Sequence, residues 1–499
     1  MPPQPDLIVS EAGSMSNYTK RQVRFRIFRE RRSLAPLAIF FMVAGTAALA
    51  GQNSLPRAPG AKVFTLTPQP GFFTEPSVAV NPRNPQQVVV AFQNQASIAY
   101  STDAGAHWRL ARRTSSRRYR VSGDVSAAYD NRGHAILCYM AFDKLGTYSY
   151  WAHDSSRNGV FIRRSLDGGR TWEKNDIAIL QHPTKPGVPW EDKPYVVADD
   201  SHGPYAGILY VGWTRWTLTN SLIMFSRSTD GGKTWSKPAE IDKHPGLPRD
   251  DNGALEGFDG AVGPDSALYT VWTEGRHIVL TISRDGGRSF DSPRNIIDTA
   301  PAFFQVTGVS RSNGFPQIAL DPRGGKLYIT WSDYRNGDVD VFCSSSSDQG
   351  KTWSPAVRVN SDPVHDGDDQ FFQWLAVDPM TGAVNVMFYD RRGDPQNKKQ
   401  IVTLARSLDG GRSFKNYAWT VKPFDAQGVF MGDYTGLAAY DGRVYGAWTM
   451  KPAVPDPPGD PEEEEPGESS MTRSRAYWKT HGTILRVGVA DFGAVDRKE

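Results

Sequence analysis

Ser228-Thr229-Asp230-Gly231-Gly232-Lys233-Thr234-Trp235 is the key to the architecture, because the chain repeats it. STDAGAHW (101–108), SLDGGRTW (165–172), SRDGGRSF (283–290), SSDQGKTW (346–353) and SLDGGRSF (407–414) keep its pattern, Ser-x-Asp-x-Gly-x-[Ser/Thr/His]-[Trp/Phe]. The six aspartates stand at 103, 167, 230, 285, 348 and 409, at spacings of 64, 63, 55, 63 and 61 residues. Such a period marks a repeat architecture, a propeller or a solenoid. The motif is the chemistry of a tight hairpin turn. Glycine supplies a positive φ, the carboxylate accepts from the turn's own amides, and the terminal aromatic packs the turn onto its surroundings.

A second pattern runs out of phase with the first. Seven segments, 76–92, 125–140, 195–213, 259–272, 316–331, 372–388 and 434–448, read as an apolar run, an Asp, Asn or Gly turn, and a second apolar run. Period-2 alternation and β-branched residues predict strand–turn–strand. Each repeat is therefore a four-stranded antiparallel unit, and the fold class is all-β, a β-propeller of such blades. Seven blades is the preferred count and six the alternative. The lone strand AKVFTLT (61–67) is expected to complete the last blade beside THGTILRVGV (481–490), which explains why there are seven hairpins but six Asp turns.

Outward from the repeats, residues 20–32 (KRQVRFRIFRERR) precede an apolar run from Leu34 to Ala50 that ends in Ala48-Leu49-Ala50. A basic flank, an apolar segment and a small-x-small end predict a signal peptide or membrane anchor over 1–50. The body, 51–499, is expected to be one propeller domain outside the cytoplasm, secreted or periplasmic, with a membrane role only through 34–50 if that segment is not cleaved. The stretch 452–470 (PAVPDPPGDPEEEEPGESS) reads as a solvated acidic loop within the last blade.

The whole chain has a formal charge of +3, but residues 1–50 carry seven basic and three acidic side chains, leaving the body near −1. A near-neutral body excludes a general nucleic-acid binder. The two cysteines, Cys138 and Cys343, fall in distant repeats and predict separate buried thiols. Zinc-type Cys/His spacing, a phosphate-binding glycine loop and a G-x-S-x-G elbow are all missing from the sequence. Neither a cofactor nor a metal is expected, and His365 among Asp362, Asp366, Asp368 and Asp369 reads as a solvated loop. The protein is expected to be monomeric.

Antiparallel topology places the Asp turns on one face and the starts of first strands and ends of second strands on the other. Acids and arginines crowd that second face. Glu75, Asp124, Asp192, Glu256, Asp259, Asp433 and Tyr434 begin first strands, while Arg215, Glu274, Arg276, Asp333, Arg335, Asp390, Arg391 and Arg392 end second strands. An acid–Arg pair can tie adjacent blades, or an Arg can clamp a carboxylate bidentately.

The Asp turns resemble the Asp boxes of sialidases and the wider BNR-repeat superfamily, over roughly residues 61–490. The resemblance implies a propeller, and it implies a glycoside hydrolase-like protein that acts on or binds extracellular carbohydrate or glycoconjugate. The alternative is a non-catalytic glycan- or protein-binding propeller. In sialidases three arginines hold the sugar carboxylate, a Tyr–Glu pair is nucleophile and base, and an Asp is the acid. Carried over, Tyr434 is the nucleophile, Glu256 its base and Asp124 the acid. Arg276, Arg335 and Arg391, with Asp192, Asp333 and Asp390, are the substrate-binding candidates. One departure bears on specificity. The first-blade Phe-Arg-Ile-Pro motif of sialidases is replaced by Phe73-Thr74-Glu75-Pro76. An acid at that place repels a sialic-acid carboxylate, so a different sugar is expected.

Overall fold

The computed structural model describes residues 55–112, 114–453 and 475–496. The segment expected to be a signal peptide or anchor, 1–50, and nearly all of the acidic stretch at 452–470 lie outside the described residues. Seven sheets, each with four consecutive antiparallel strands on its main path, form the blades of a β-propeller. Their innermost strands are Ser77–Val80, Val121–Tyr129, Trp190–Ala198, Leu255–Val262, Gln317–Asp321, Gln370–Val377 and Gly436–Tyr440 for blades 1 to 7. The seventh blade is of mixed origin. Lys62–Thr65 from the N-terminal side pairs antiparallel with Ile484–Asp491, in a register from Lys62↔Val489 to Thr65↔Arg486. The strand 3–4 connection of this blade is thus the break between the two ends of the ring, so no Asp turn exists there to be found in the sequence. A short helix, Arg475–His481, precedes that strand and was not legible in the sequence.

The core is distributed between blades rather than gathered at one centre. Each of seven apolar clusters joins two consecutive blades; Val88, Val90 and Phe92 of blade 1, for instance, meet Tyr445, Leu485 and Val487 of blade 7. Middle strands are consequently buried on both faces, as in Ala135–Phe142, where every residue is buried. Cys138 and Cys343 are free and buried, one between blades 2 and 3, the other between blades 5 and 6.

The Asp turns are built alike. In blade 3, Asp230 Oδ1 accepts from Ser228 Oγ at 2.8 Å and from the amides of Lys233 and Thr234 at 2.9 Å, while Oδ2 accepts from Thr234 Oγ1 at 2.6 Å. Ser228 Oγ in turn accepts from Gly232 N at 2.8 Å. Against the upward push of burial, these donors hold the Asp230 carboxyl down to about 2. The glycine has a second duty besides its φ. At Gly169 (φ +96) a Cβ would come within 2.4 Å of Val89 Cγ1 on the preceding blade. The aromatic completes the seam, and Trp172 packs against the core shared by blades 1 and 2. The turns are therefore the rivets of the ring.

Candidate functional site

On the face opposite the Asp turns, the entry of an inner strand is repeatedly broken by a bulge. The register slips between Gly123 and Val125, Asp192 and Tyr195, Glu256 and Asp259, and Phe371 and Trp374. Within each slip one residue takes a positive φ: Asp124 (42°), Lys193 (46°), Gly257 (76°) and Phe372 (52°), with Glu75 (54°) just ahead of blade 1. A non-glycine residue there costs of order 1–3 kcal/mol and persists only where the surroundings impose it. Glycine at 257 relieves that cost, whereas Glu75, Asp124 and Lys193 bear it, and all three line one cleft. Bulges re-aim side chains, and here they bring charged groups to the channel mouth.

The cleft holds about 560 Å³ of free space, part of it open to solvent. Its polar floor is Glu75, Gln93, Asp124, Asp192, Lys193 and Arg311; its walls include Phe72, Trp151, Trp190 and Phe430. Lys193 is the hub, with Nζ 2.6 Å from Glu256 Oε1, 3.1 Å from Asp433 Oδ2 and 3.7 Å from Asp192 Oδ2. Arg311 forks onto Asp433 at 2.8 and 2.6 Å and reaches Asp250 at 3.0 Å. Its guanidinium also lies over the rings of Phe430 and Trp151. Trp216 Nε1 donates to Asp192 Oδ2 at 2.9 Å, and Asp124 N donates to Gln93 Oε1 at 2.7 Å.

These surroundings separate the acids. Burial pushes Glu75 up to about 8, and the Asp433 charge adds to the push against Lys193 and Arg311. Burial, then Glu75 and Asp192, raise Asp124 well above the ordinary range, and its carboxyl shares a hydrogen bond with Asp192. Asp433 goes the other way: burial opposes ionisation, but Arg311 and Lys193 outweigh it and hold the carboxyl at about 2. Lys193 stays protonated although burial opposes it, because Asp192, Asp433 and Glu256 surround it. Glu75 Oε2 is buried with no hydrogen-bond partner among the described residues.

A second cleft of about 540 Å³ shares Lys193 with the first, and Tyr195, Asp259, Gln373, Trp374, Asp433 and Tyr434 also line it. Tyr434 donates its hydroxyl to Val125 O at 3.3 Å and sets its ring against Trp374, centroids 5.8 Å apart. Burial, with Glu75 and Asp124 nearby, raises its phenol well above the ordinary value. Asp259 accepts from Ile318 N and Gly260 N, both at 2.8 Å, and so ties blade 4 to blade 5.

Of the residues singled out in the sequence, Asp124 and Asp192 share the first cleft and Tyr434 stands beside it. Glu256 reaches the mouth but faces Lys193 Nζ, while the Tyr434 hydroxyl faces a backbone carbonyl. Five others line neither cleft. Arg276 is exposed in the tight turn between Leu268–Glu274 and His277–Ser283. Arg335 is bound by Asp333 at 2.5 Å and lies over Phe342, and Asp333 also accepts from Trp331 Nε1. Asp390 accepts from Arg392 and from Thr403, and Arg391 is buried over Phe371, donating to Asn397 O. The acid-then-Arg pattern of blades 5 and 6 thus closes on itself at the strand ends, because each acid lies two residues from its arginine.

Sequence reading missed Lys193, Arg311, Asp250 and Gln93. Lys193 adjoins Asp192, and the charge run Glu191-Asp192-Lys193 at a strand start was a usable signal. Arg311 had none: it comes from the connection between blades 4 and 5, 122 residues from the Asp433 it holds.

The BNR/Asp-box repeat family matches residues 226–237 of the chain, the third Asp turn. No curated protein sequence matches it. Among solved structures, the Hadza microbial sialidase Hz136 is 15% identical, with a TM-score of 0.45 over 82% of this chain and 74% of that one. The GH93 α-L-arabinofuranosidase of Fusarium graminearum, solved with arabinobiose, is 12% identical, with a TM-score of 0.45 over 69% and 98%. YCF48 bound to D1 peptide is 15% identical, with a TM-score of 0.41 over 79% and 94%. Six Asp turns at one fixed place in the blades, the BNR/Asp-box repeat match and the closed ring of seven sheets make the chain a seven-bladed β-propeller carrying Asp-box repeats.

Proposed function

We propose that the channel-mouth cleft is a glycoside site for a neutral sugar, with Glu75 as the general acid. The observation that carries this reading is the Glu75 carboxyl itself. It is buried on a strained residue, with Oε2 unpartnered among the described residues, in a cleft with aromatic walls and a second carboxyl pair, Asp124 and Asp192. Glycoside hydrolysis asks for an acid that keeps its proton near neutrality and a second carboxyl group across the bond. Glu75 gives its proton to the glycosidic oxygen as the C–O bond breaks. A water adds to the anomeric carbon and loses its proton to the Asp124–Asp192 pair. The aromatic walls supply faces for a pyranose to stack on.

The preference for a neutral sugar follows from charge. Both cations at the cleft are committed to carboxylates, Lys193 to Glu256 and Asp433, and Arg311 to Asp433 and Asp250. Export by residues 1–50 belongs to the same reading, because it brings the protein to extracellular glycans. Expression with and without that segment, followed by cell fractionation, tests it.

The test of the site is a panel of chromogenic glycosides, sialosides included, with Glu75→Gln as the paired variant. Turnover of neutral glycosides that Glu75→Gln abolishes supports the reading, and a preference for sialosides contradicts it. Binding without turnover on every substrate moves the site to a non-catalytic lectin-like role.

A further inference from the structure

We propose that a basic groove on the side of the ring, between blades 1 and 2, binds an anionic polysaccharide. The proposal is independent of the channel-mouth reading, since none of the groove's lining residues is shared with that cleft. The sequence from 109 to 120, RLARRTSSRRYR, holds six arginines, and no Asp or Glu stands between Asp103 and Asp124. This stretch connects the outer strand of blade 1 to the inner strand of blade 2. It meets the Asp turn of blade 2, which adds Arg170 and, just beyond, Lys174.

Together they enclose a concavity of about 870 Å³, lined by Arg112, Arg117, Arg170, Lys174, Trp172 and Tyr100 among others. The four cations are exposed and make no ion pair or side-chain hydrogen bond among the described residues. The nearby acids are already engaged. Asp176 accepts from Ser116 Oγ at 2.8 Å and lies 3.5 Å from Arg118 and 3.9 Å from Arg163, while Glu173 is held by Arg164. Uncompensated like charges in one concavity repel, and a ligand of opposite sign relieves that repulsion while releasing its own counterions. The body of the protein is close to neutral, so the concentration of charge is local.

Three features select the ligand. Several cations at different points along a groove suit a polymer bearing repeated anionic groups rather than a single small anion. Guanidinium groups match sulfate or carboxylate oxygens in a fork. Trp172, whose Nε1 is fixed on Gly169 O at 3.0 Å, and Tyr100 give the groove the aromatic surfaces on which sugar rings stack. A concave site is poorly shaped for a lipid surface, and a near-neutral body is unlike that of a nucleic-acid binder.

The test measures binding of the full chain to immobilised heparin and to polygalacturonate across a salt series. Arg112→Ala/Arg117→Ala and Arg170→Ala/Lys174→Ala are compared with Lys233→Ala/Lys237→Ala, an exposed pair on blade 3. Each groove variant should weaken binding about ten-fold at low salt and lower the log–log salt slope by about two. The blade 3 variant should match the parent. All substituted side chains are exposed, so the fold is not at stake. Equal losses in all three variants, or no loss in the groove variants, overturns the proposal. So does equal or tighter binding of a single-stranded oligonucleotide or of phosphatidylglycerol vesicles.

Discussion

Lys193 Nζ stands 2.6 Å from Glu256 Oε1 and 3.1 Å from Asp433 Oδ2, so one buried ammonium joins blades 3, 4 and 7 across the channel mouth. Its backbone is in the left-handed region to reach that point. Breaking a buried ion pair by removing one partner leaves the other charge uncompensated, at a cost of about 3–5 kcal/mol. Lys193→Met should lose stability on that scale in chemical denaturation, and Lys193→Met/Glu256→Gln should recover part of it. A loss below about 1 kcal/mol would show that the ammonium does not hold these carboxyls.

Tyr434→Phe separates two mechanisms. The hydroxyl makes one long bond to Val125 O, at 3.3 Å, so its removal should cost no more than about 1 kcal/mol of stability. With Glu75 as the acid, glycoside turnover survives the change. Abolished turnover in a folded Tyr434→Phe protein would reinstate the tyrosine as the nucleophile.

Glu75 sets a pH dependence of definite sign. Its carboxyl has an ordinary value of 4.5 and is raised to about 8 in the folded protein. Between these values the native state keeps a proton that the unfolded chain releases. Stability from this group therefore falls as pH rises through that window, by up to roughly 1.4 kcal/mol per pH unit. Glu75→Gln removes the slope, so unfolding midpoints of variant and parent should diverge from pH 5 upward. Any turnover that uses the Glu75 proton should fall away above about pH 8.

An Asp turn should behave in the opposite sense. Asp230 is lowered from 3.8 to about 2, so its contribution is whole above pH 4 and disappears as pH falls through 2. Asp230→Ala removes the acceptor of four hydrogen bonds and should cost about 1–3 kcal/mol at pH 7, reduced by solvent at this exposed turn. The gap between variant and parent in acid denaturation should close between pH 4 and pH 2. An undiminished gap at pH 2 would mean that the turn is held by something other than the carboxylate.

Ring closure rests on Lys62–Thr65, which has no covalent turn to the strand it completes. A chain beginning after Thr67 leaves Ile484–Asp491 as an open edge and gives up the burial of Leu66 and the half-buried Phe64. Loss of those two side chains costs roughly 3 kcal/mol, and the open edge invites self-association. Light scattering and the denaturation midpoint should both register the truncation; a chain begun at Leu55 is the control.

The fold was legible because its information is local. Each Asp turn writes its own hydrogen-bond partners into eight consecutive residues, and each inner hairpin writes its alternation into about fifteen. Even the closing strand could be inferred, since an unpaired strand at one end and a missing turn at the other imply each other. Asp124, Asp192, Glu256 and Tyr434 could be assigned to the mouth by topology alone.

What topology cannot assign is which of these side chains meet. Glu256 was matched to Tyr434 by resemblance, but the charge facing its carboxyl is that of Lys193, turned inward by a bulge. Arg335 and Arg391 were candidates for a substrate clamp, yet Arg335 closes on Asp333 two residues away and Arg391 is buried over Phe371. The ring, a blade count of seven preferred over six, and the face on which acids gather were legible in the sequence, because those follow from hydrogen bonds between chain neighbours. Protonation and pairing within that face come from the packed ring. Arg311 and Asp433 are separated by 122 residues, and burial and charge at a point where blades 1, 2, 3, 4 and 7 converge are properties of no single segment.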